Sequence, residues 1–382
     1  MWEDRRCLLG VLIYMYLGIV THVCMYRALG RSAVLVLGTC RATLSTMEAT
    51  TSLAPDPRSQ CDRYTQETYA KMRDDVQRTE AYRRAIEVVA PGRVCLDIGT
   101  GALALLALMA AKAGARHVYA VEANERAYDA AVQLVVDQGL AERVTVLRGY
   151  STDVELPQRV DLLLHEIIGE VAGAEGVVMA IADAARRHLA VPEPEEGLTP
   201  RVLSVPARVR SLLAPAEFPG ADYFASLPFP MLAAPGAQVL KLPSLPRELM
   251  LSRAQVFEDL RFESARPLAS QDAELNFVIE RAGILRGLAV HIELFMAATD
   301  AVVADNAVAA DDAAVADISS AEQGSHWPNV FLMLPEELAM TPGQRVEVRT
   351  AARLAAAQPR YSFEVFVDGQ PVGSVLEYPD NL

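Results

Sequence analysis

Apolar and polar positions follow three regimes along the chain. Residues 7–20, CLLGVLIYMYLGIV, carry no charge, and the apolar character continues to Arg27 with His22 as its main interruption. That is about the length of a helix that crosses a bilayer. Arg5 and Arg6 precede it and Arg27, Arg31 and Arg41 follow, so flanking charge sets no orientation. A second run, SAVLVLGTC, is too short to span, and residues 45–60, rich in Ser, Thr and Pro, read as a linker. The segment is read as a membrane anchor, a cleaved targeting sequence or an upstream extension of the gene model. Through residues 7–28 it makes membrane anchoring or organelle targeting an expectation, with a cytoplasmic location as the alternative.

From Asp62 the pattern alternates. Residues 62–89 predict a helix that stops at Pro91-Gly92. Residues 94–97 predict a buried strand, followed by a glycine turn and an alanine-rich helix through Lys112. Residues 117–121 predict a strand ending on Glu122, 125–138 a helix, 143–148 and 160–164 strands, and 175–189 a helix. Such alternation implies a parallel, doubly wound sheet. The stretch VPEPEEGLTP at 191–200 breaks it. Beyond the break, 202–211, 288–296, 327–334, 345–354, 361–367 and 372–378 read as strands, with Asp368-Gly369 as a hairpin turn. The expected organisation is therefore an N-terminal segment and linker (1–60), an α/β domain (61–197) and a mostly antiparallel β-barrel (198–382).

Composition narrows the function classes. A formal net charge of −14 over 382 residues argues against a nucleic-acid partner held through phosphates. Of the five cysteines, Cys7, Cys24, Cys40 and Cys61 precede the α/β body, and no C-x-x-C pair occurs. Neither a disulfide framework nor a metal site is indicated, and the body reads as the product of a reducing compartment.

The sharpest local chemistry lies at Leu96-Asp97-Ile98-Gly99-Thr100-Gly101, between a strand end and a helix. Glycines there let the backbone approach a ligand at the carboxyl edge of the sheet. Glu122, at the end of the second strand, is placed to accept both hydroxyls of a ribose. S-adenosylmethionine (SAM) and a nicotinamide dinucleotide both fit this pair of features, and a tight turn without a ligand is the third reading.

Residues 94–157 resemble protein arginine methyltransferases in VCLDIGTG, AAKAGARHVYAVE and GYSTDVELP. Upstream, Tyr69, Met72, Asp75, Arg78 and Tyr82 lie on a segment similar to the helix with which that family covers its cofactor. Downstream, His165-Glu166-Ile-Ile-Gly169-Glu170-Val-Ala-Gly-Ala-Glu175 resembles the family loop with two glutamates, and Ser325-His326-Trp327 its Thr-His-Trp loop. The resemblance covers roughly 62–382 and is thinner after residue 190.

It implies a SAM-dependent methyltransferase domain, Rossmann-like, whose acceptor is an arginine guanidinium in another protein. Glu166 and Glu175 would grip that cation, because a carboxylate binds guanidinium through two parallel hydrogen bonds. Asp75 and His326 would form a pair that carries the released proton. Arg78, Asp97, Gly99, Gly101, Glu122, Thr152 and Asp153 would hold the cofactor. Tyr69, Met72 and Trp327 would wall the substrate channel. A homodimer is expected too, with 214–237 as a candidate contact arm.

Several positions depart from the family pattern. Ala102-Leu103 follow Gly101 where a third glycine is usual, His165 stands before the first glutamate, Ile167-Ile168 replaces a methionine-containing pair, and Glu170 adds an acid. The number and symmetry of methyl groups added stay open. So do a small guanidino or amino acceptor and a non-catalytic scaffold.

Overall fold

The structure is a computed structural model that describes residues 65–190, 202–227, 237–263, 268–296, 316–355 and 358–378. The apolar N-terminal run, its linker and the break at 191–200 lie outside these residues. Among the described residues no helix is long and apolar enough to cross a membrane.

The helix expected over 62–89 is two helices, α1 (Gln66–Asp74) and α2 (Val76–Val89). Thr65 and Thr68 form a capping box at the start of α1. Asp75 divides the two: its backbone is extended, and its side chain accepts from Arg78 N–H at 2.9 Å as the N-cap of α2. No glycine or proline marks this break.

The sheet then runs β1 (Val94–Ile98), α3 (Leu105–Lys112), β2 (His117–Glu122), α4 (Glu125–Asp137), β3 (Val144–Arg148), β4 (Leu162–His165), α5 (Val177–Arg187) and β5 (Ser204–Val205). Its strand order is β3-β2-β1-β4-β5, all parallel. Every residue of β1 and β4 is buried, Asp97 and His165 included, as their central place in a parallel sheet requires. The order reverses between β1 and β4, which opens a crevice at their carboxyl ends. Strand β5 lies past the boundary expected at 197, because the chain returns after the proline-rich break to pair Leu163 with Ser204.

The second half continues with β6 (Arg208–Ala216), α6 (Ala221–Ser226), β7 (Val239–Leu242), β8 (Gln255–Arg261), β9 (Ser270–Val278), β10 (Gly283–Phe295), β11 (Ile318–Ser319), β12 (Asn329–Met340), β13 (Arg345–Arg353), β14 (Arg360–Val367), β15 (Gln370–Pro371) and β16 (Leu376–Tyr378). They form two antiparallel sheets, ordered β7-β12-β10-β6-β8 and β15-β14-β13-β9. Among the described residues their hydrogen-bonded paths do not join into one ring, so the expected barrel takes the form of two sheets sharing a core. Phe257, Phe277, Leu288, Val348 and Phe363 belong to that core, which is continuous with the residues buried around β1 and β4. The turn signal at Asp368-Gly369 is matched by positive φ at both residues between β14 and β15. Of the candidate arm 214–237, residues 214–216 end β6, 221–226 form α6, and 228–236 lie outside the described residues.

Candidate active site

A cavity of about 440 Å³ occupies the crevice at the carboxyl edge of the parallel sheet. Tyr69, Met72, Arg78, Asp97, Gly99, Gly101, Glu122, Thr152, Glu166 and Glu175 all line it. Asp75, Asp153, His326 and Trp327 are not among its lining residues.

The floor is the turn after β1. Gly99 and Gly101 have φ of 73° and 67°, where a side chain is strained. Space is short as well: a Cβ at Gly101 would lie 2.7 Å from the Tyr69 ring, and one at Gly99 2.9 Å from Ile167. Ala104, at the start of α3, also has positive φ (42°) without being a glycine.

Glu122 is buried at the end of β2. Its Oε2 accepts from Gly101 N–H and its Oε1 from Asn124 N–H, both at 2.8 Å. Burial pushes its carboxyl above the ordinary range, against the pull of those backbone donors. Ala123 N–H is a third backbone donor, which leaves about one of the carboxylate's four lone-pair sites for a further donor.

Asp97 is 1% exposed. Its Oδ2 accepts from Thr100 Oγ1 at 2.5 Å and Ala107 N–H at 3.1 Å, while Oδ1 has no partner. Burial pushes its carboxyl up to about 7. A buried acid that holds its proton more tightly folded than unfolded contributes stability below its unfolded value, and that contribution is lost as pH rises toward 7. Asp97→Asn cannot ionise, so its stability should fall less than that of the wild type between pH 4 and pH 7. Thermal unfolding across that interval measures the difference, and parallel curves would refute the assignment.

The loop after β4 places both glutamates at the cavity. Glu166 does not stand alone there: Arg78 Nη2 donates to its Oε2 at 2.6 Å, with the two side chains 4% and 7% exposed. Burial alone would weaken the charge on Arg78, but the Glu166 carboxylate beside it holds its pKa above the ordinary value. Arg78 Nη1 also donates to Met72 O at 3.2 Å, and its buried Nε has no partner. The resemblance gave Arg78 to the cofactor and Glu166 to the substrate; here they are bonded to each other.

His165, one position earlier, faces away into the core. It is wholly buried, lies edge-on to Phe262 and sits 3.2 Å from Ser204 Oγ. Burial drives its pKa down to about 3, so the ring is neutral. Glu170 leaves the pair: Lys241 Nζ lies 2.6 Å from its Oε1, and Tyr378 OH donates to its Oε2 at 3.1 Å.

His326 and Trp327 lie behind the cavity wall. His326 N and Nδ1 both lie 2.9 Å from Asp75 Oδ2. Burial would raise the Asp75 carboxyl, but hydrogen bonds from His326 and from Arg78 N–H bring it below the ordinary range. His326 Nε2 is buried without a partner. The Trp327 indole donates to Ile168 O at 2.9 Å, between the two glutamates in sequence, and its ring lies 3.8 Å from that of His326. Among the described residues no group of three or more His, Cys, Asp or Glu side chains could hold a metal ion.

Sequence reasoning missed part of the lining. Thr100, Tyr150, Met179 and Ala180 face the cavity. For Tyr150 the signal was Gly149 at the end of β3, whose φ is 144°. For Met179 it was a methionine near the start of an amphipathic helix, 41% exposed.

No protein-family model matches the chain. Among curated proteins it is 42% identical over 98 residues to the probable histone-arginine methyltransferase CARM1 of Oryza sativa subsp. indica, covering 26% of this chain and 18% of that protein. It is 30% identical over 236 residues to protein arginine N-methyltransferase 7 of Drosophila persimilis, covering 60% and 29%. The chain thus spans less than a third of the length of these relatives. Two solved structures share its fold at low identity. One is the Trypanosoma brucei PRMT1 enzyme–prozyme heterotetrameric complex with AdoHcy (18% identity, TM-score 0.62, 85% of this chain and 99% of that one). The other is Arabidopsis thaliana protein arginine methyltransferase 10 (17%, TM-score 0.63, 83% and 99%). With matched sequence around the glycine turn and a common fold across most of its length, the chain is similar to protein arginine methyltransferases in sequence over part of its length and shares their fold.

Proposed function

We propose that the chain transfers a methyl group from SAM to a guanidinium nitrogen of arginine in another protein, giving methylarginine and S-adenosylhomocysteine. The observation that carries this reading is the placement of Glu166 and Glu175 on one cavity with Glu122, Gly99 and Gly101. Two carboxylates beside a cofactor crevice suit a cationic acceptor, which they can meet with charge-assisted hydrogen bonds.

The donor set fits SAM. Arg78 Nε is an unpartnered buried donor for a carboxylate, and Glu122, already holding three backbone donors, keeps a lone pair for a ribose hydroxyl. SAM, when bound, supplies a methyl group already activated by its positive sulfur. The protein's part is alignment. Glu166 and Glu175 draw positive charge toward the far guanidinium nitrogens and leave the near one the better nucleophile. Tyr69, packed on Gly101, and Met72 keep water from that nitrogen. Asp75 and His326, tied to α2, hold Arg78 in register and form the route proposed for the released proton. The homodimer expected from the resemblance belongs to the same proposal.

Mass spectrometry of arginine-rich peptides incubated with the protein and SAM tests the reading. A mass gain of one or more methyl groups on arginine is expected. Labelling of small amines in place of peptides would overturn it. Cofactor choice has its own test: Glu122→Ala should weaken SAM binding by about 2–3 kcal/mol, the scale of lost charged hydrogen bonds. Unchanged calorimetric affinity for SAM, together with tight dinucleotide binding, would return the site to a dehydrogenase.

A further inference from the structure

Glu258 on β8 is a carboxylate with no access to solvent, and the activity proposed above gives it no role. Two hydroxyls from neighbouring strands donate to it: Ser211 Oγ on β6 to its Oε2 at 2.5 Å, and Tyr361 OH on β14 to its Oε1 at 2.7 Å. The third donor comes from the other half of the molecule. Gly173 N–H reaches Oε2 at 3.4 Å, while Ala172 N–H donates to Ser211 Oγ at 2.9 Å. Ala172 and Gly173 lie between Glu166 and Glu175. A Cβ at Gly173 would come within 2.6 Å of Tyr361 OH and 2.7 Å of Glu258 Oε1, so only glycine lets the turn seat this deeply. Burial raises the Glu258 carboxyl above its ordinary range, and the three donors work against that rise.

A buried carboxylate surrounded by donors is costly to build and rigid once built. The core around it needs no such group for packing, since Phe257 and Phe363 already fill it. We infer that Glu258, with Ser211 and Tyr361, is a positioning group that clamps the backbone at Ala172-Gly173 and so fixes where Glu166 and Glu175 point. It touches neither cofactor nor acceptor and acts through the loop. As a role in turnover this rests on the proposed clamping of guanidinium; as a restraint on the loop it does not.

The test compares three variants of the full chain. Tyr361→Phe removes one oxygen. Glu258→Gln sets a donor amide against groups that already donate. Phe363→Leu, on the same strand as Tyr361, thins the core without touching the network. Amide hydrogen exchange over residues 168–176 should speed up about tenfold in the first two and stay unchanged in the third at matched stability. SAM affinity should stay within about twofold. Turnover of an arginine peptide should fall by roughly 10- to 100-fold in kcat, with a smaller change in the KM for SAM. Unchanged loop exchange in the Tyr361 and Glu258 variants overturns the inference, as does equal loosening in Phe363→Leu. Loosening of the loop in a protein that methylates no peptide leaves the clamp standing and removes the proposed activity instead.

Discussion

Methyl transfer to an arginine peptide should fall by about three orders of magnitude, roughly 4 kcal/mol of barrier, in Glu166→Gln and in Glu175→Gln. Glutamine keeps the size and shape of each side chain and removes the charge proposed to orient the acceptor. Cofactor affinity should survive in both. In Glu166→Gln, Arg78 loses its buried carboxylate partner, which leaves more of its guanidinium for an incoming carboxylate. The two substitutions should not add, because one missing arm already misaligns the guanidinium. Glu170→Gln is the control: that carboxylate bonds Lys241 and Tyr378 and is not among the cavity's lining residues, so turnover should stay within about threefold. Initial rates beside SAM affinities for the three variants decide the matter. Near wild-type transfer in both Glu166→Gln and Glu175→Gln would refute the carboxylate clamp.

The second large effect is on stability. Arg78→Met removes the partner of Glu166 from a site where both side chains are almost fully enclosed. Breaking one side of a buried ion pair typically costs about 3–5 kcal/mol, and replacing both partners with apolar groups is often neutral. Urea unfolding should show that loss in Arg78→Met and recover most of it in the double variant Arg78→Met/Glu166→Met. The single variant should also lose SAM binding, since the donor proposed for the cofactor is gone. A loss below about 1 kcal/mol would mean that water reaches Glu166 and the pair is not enclosed in solution.

How much of this was legible depended on what each residue answers to. Strands β1, β2 and β4 announced themselves because short apolar runs that lead into Asp97, Glu122 and His165-Glu166 have few other uses. The cavity-lining set around Gly99, Glu122 and Glu166 followed from their placement at strand ends. The break at Asp75 was not readable: residues 62–89 look helical throughout, and the interruption is stabilised by His326, from a distant loop. Strands β7, β8 and β9 were overlooked for a related reason. In β9, Ser270–Val278, the polar–apolar alternation is confined to Asp272–Phe277 and one face is wholly exposed, a period-two signal that sequence reasoning passed over. In β8, Glu258 and Asp259 suggest a solvated segment, although Glu258 is wholly buried. The Arg78–Glu166 bond was hidden because each residue had a role assigned to it separately, and no sequence spacing reveals that two such roles share an atom pair.

The Asp75–His326 contact has a consequence for the order in which the protein is made. Its two residues are 251 positions apart, and Trp327 reaches Ile168 across 159. While the chain emerges from the ribosome, β1 to β4 and their helices can pair and bury their apolar faces early. The α1–α2 corner and the loop bearing Glu166 can meet early through Arg78 and Tyr82, but His326 and Trp327, which also hold them, are synthesised near the end. A nascent chain stalled before residue 320 should therefore hold a parallel sheet whose cofactor crevice still has a loose wall, with methyl transfer appearing only after the last strands are released.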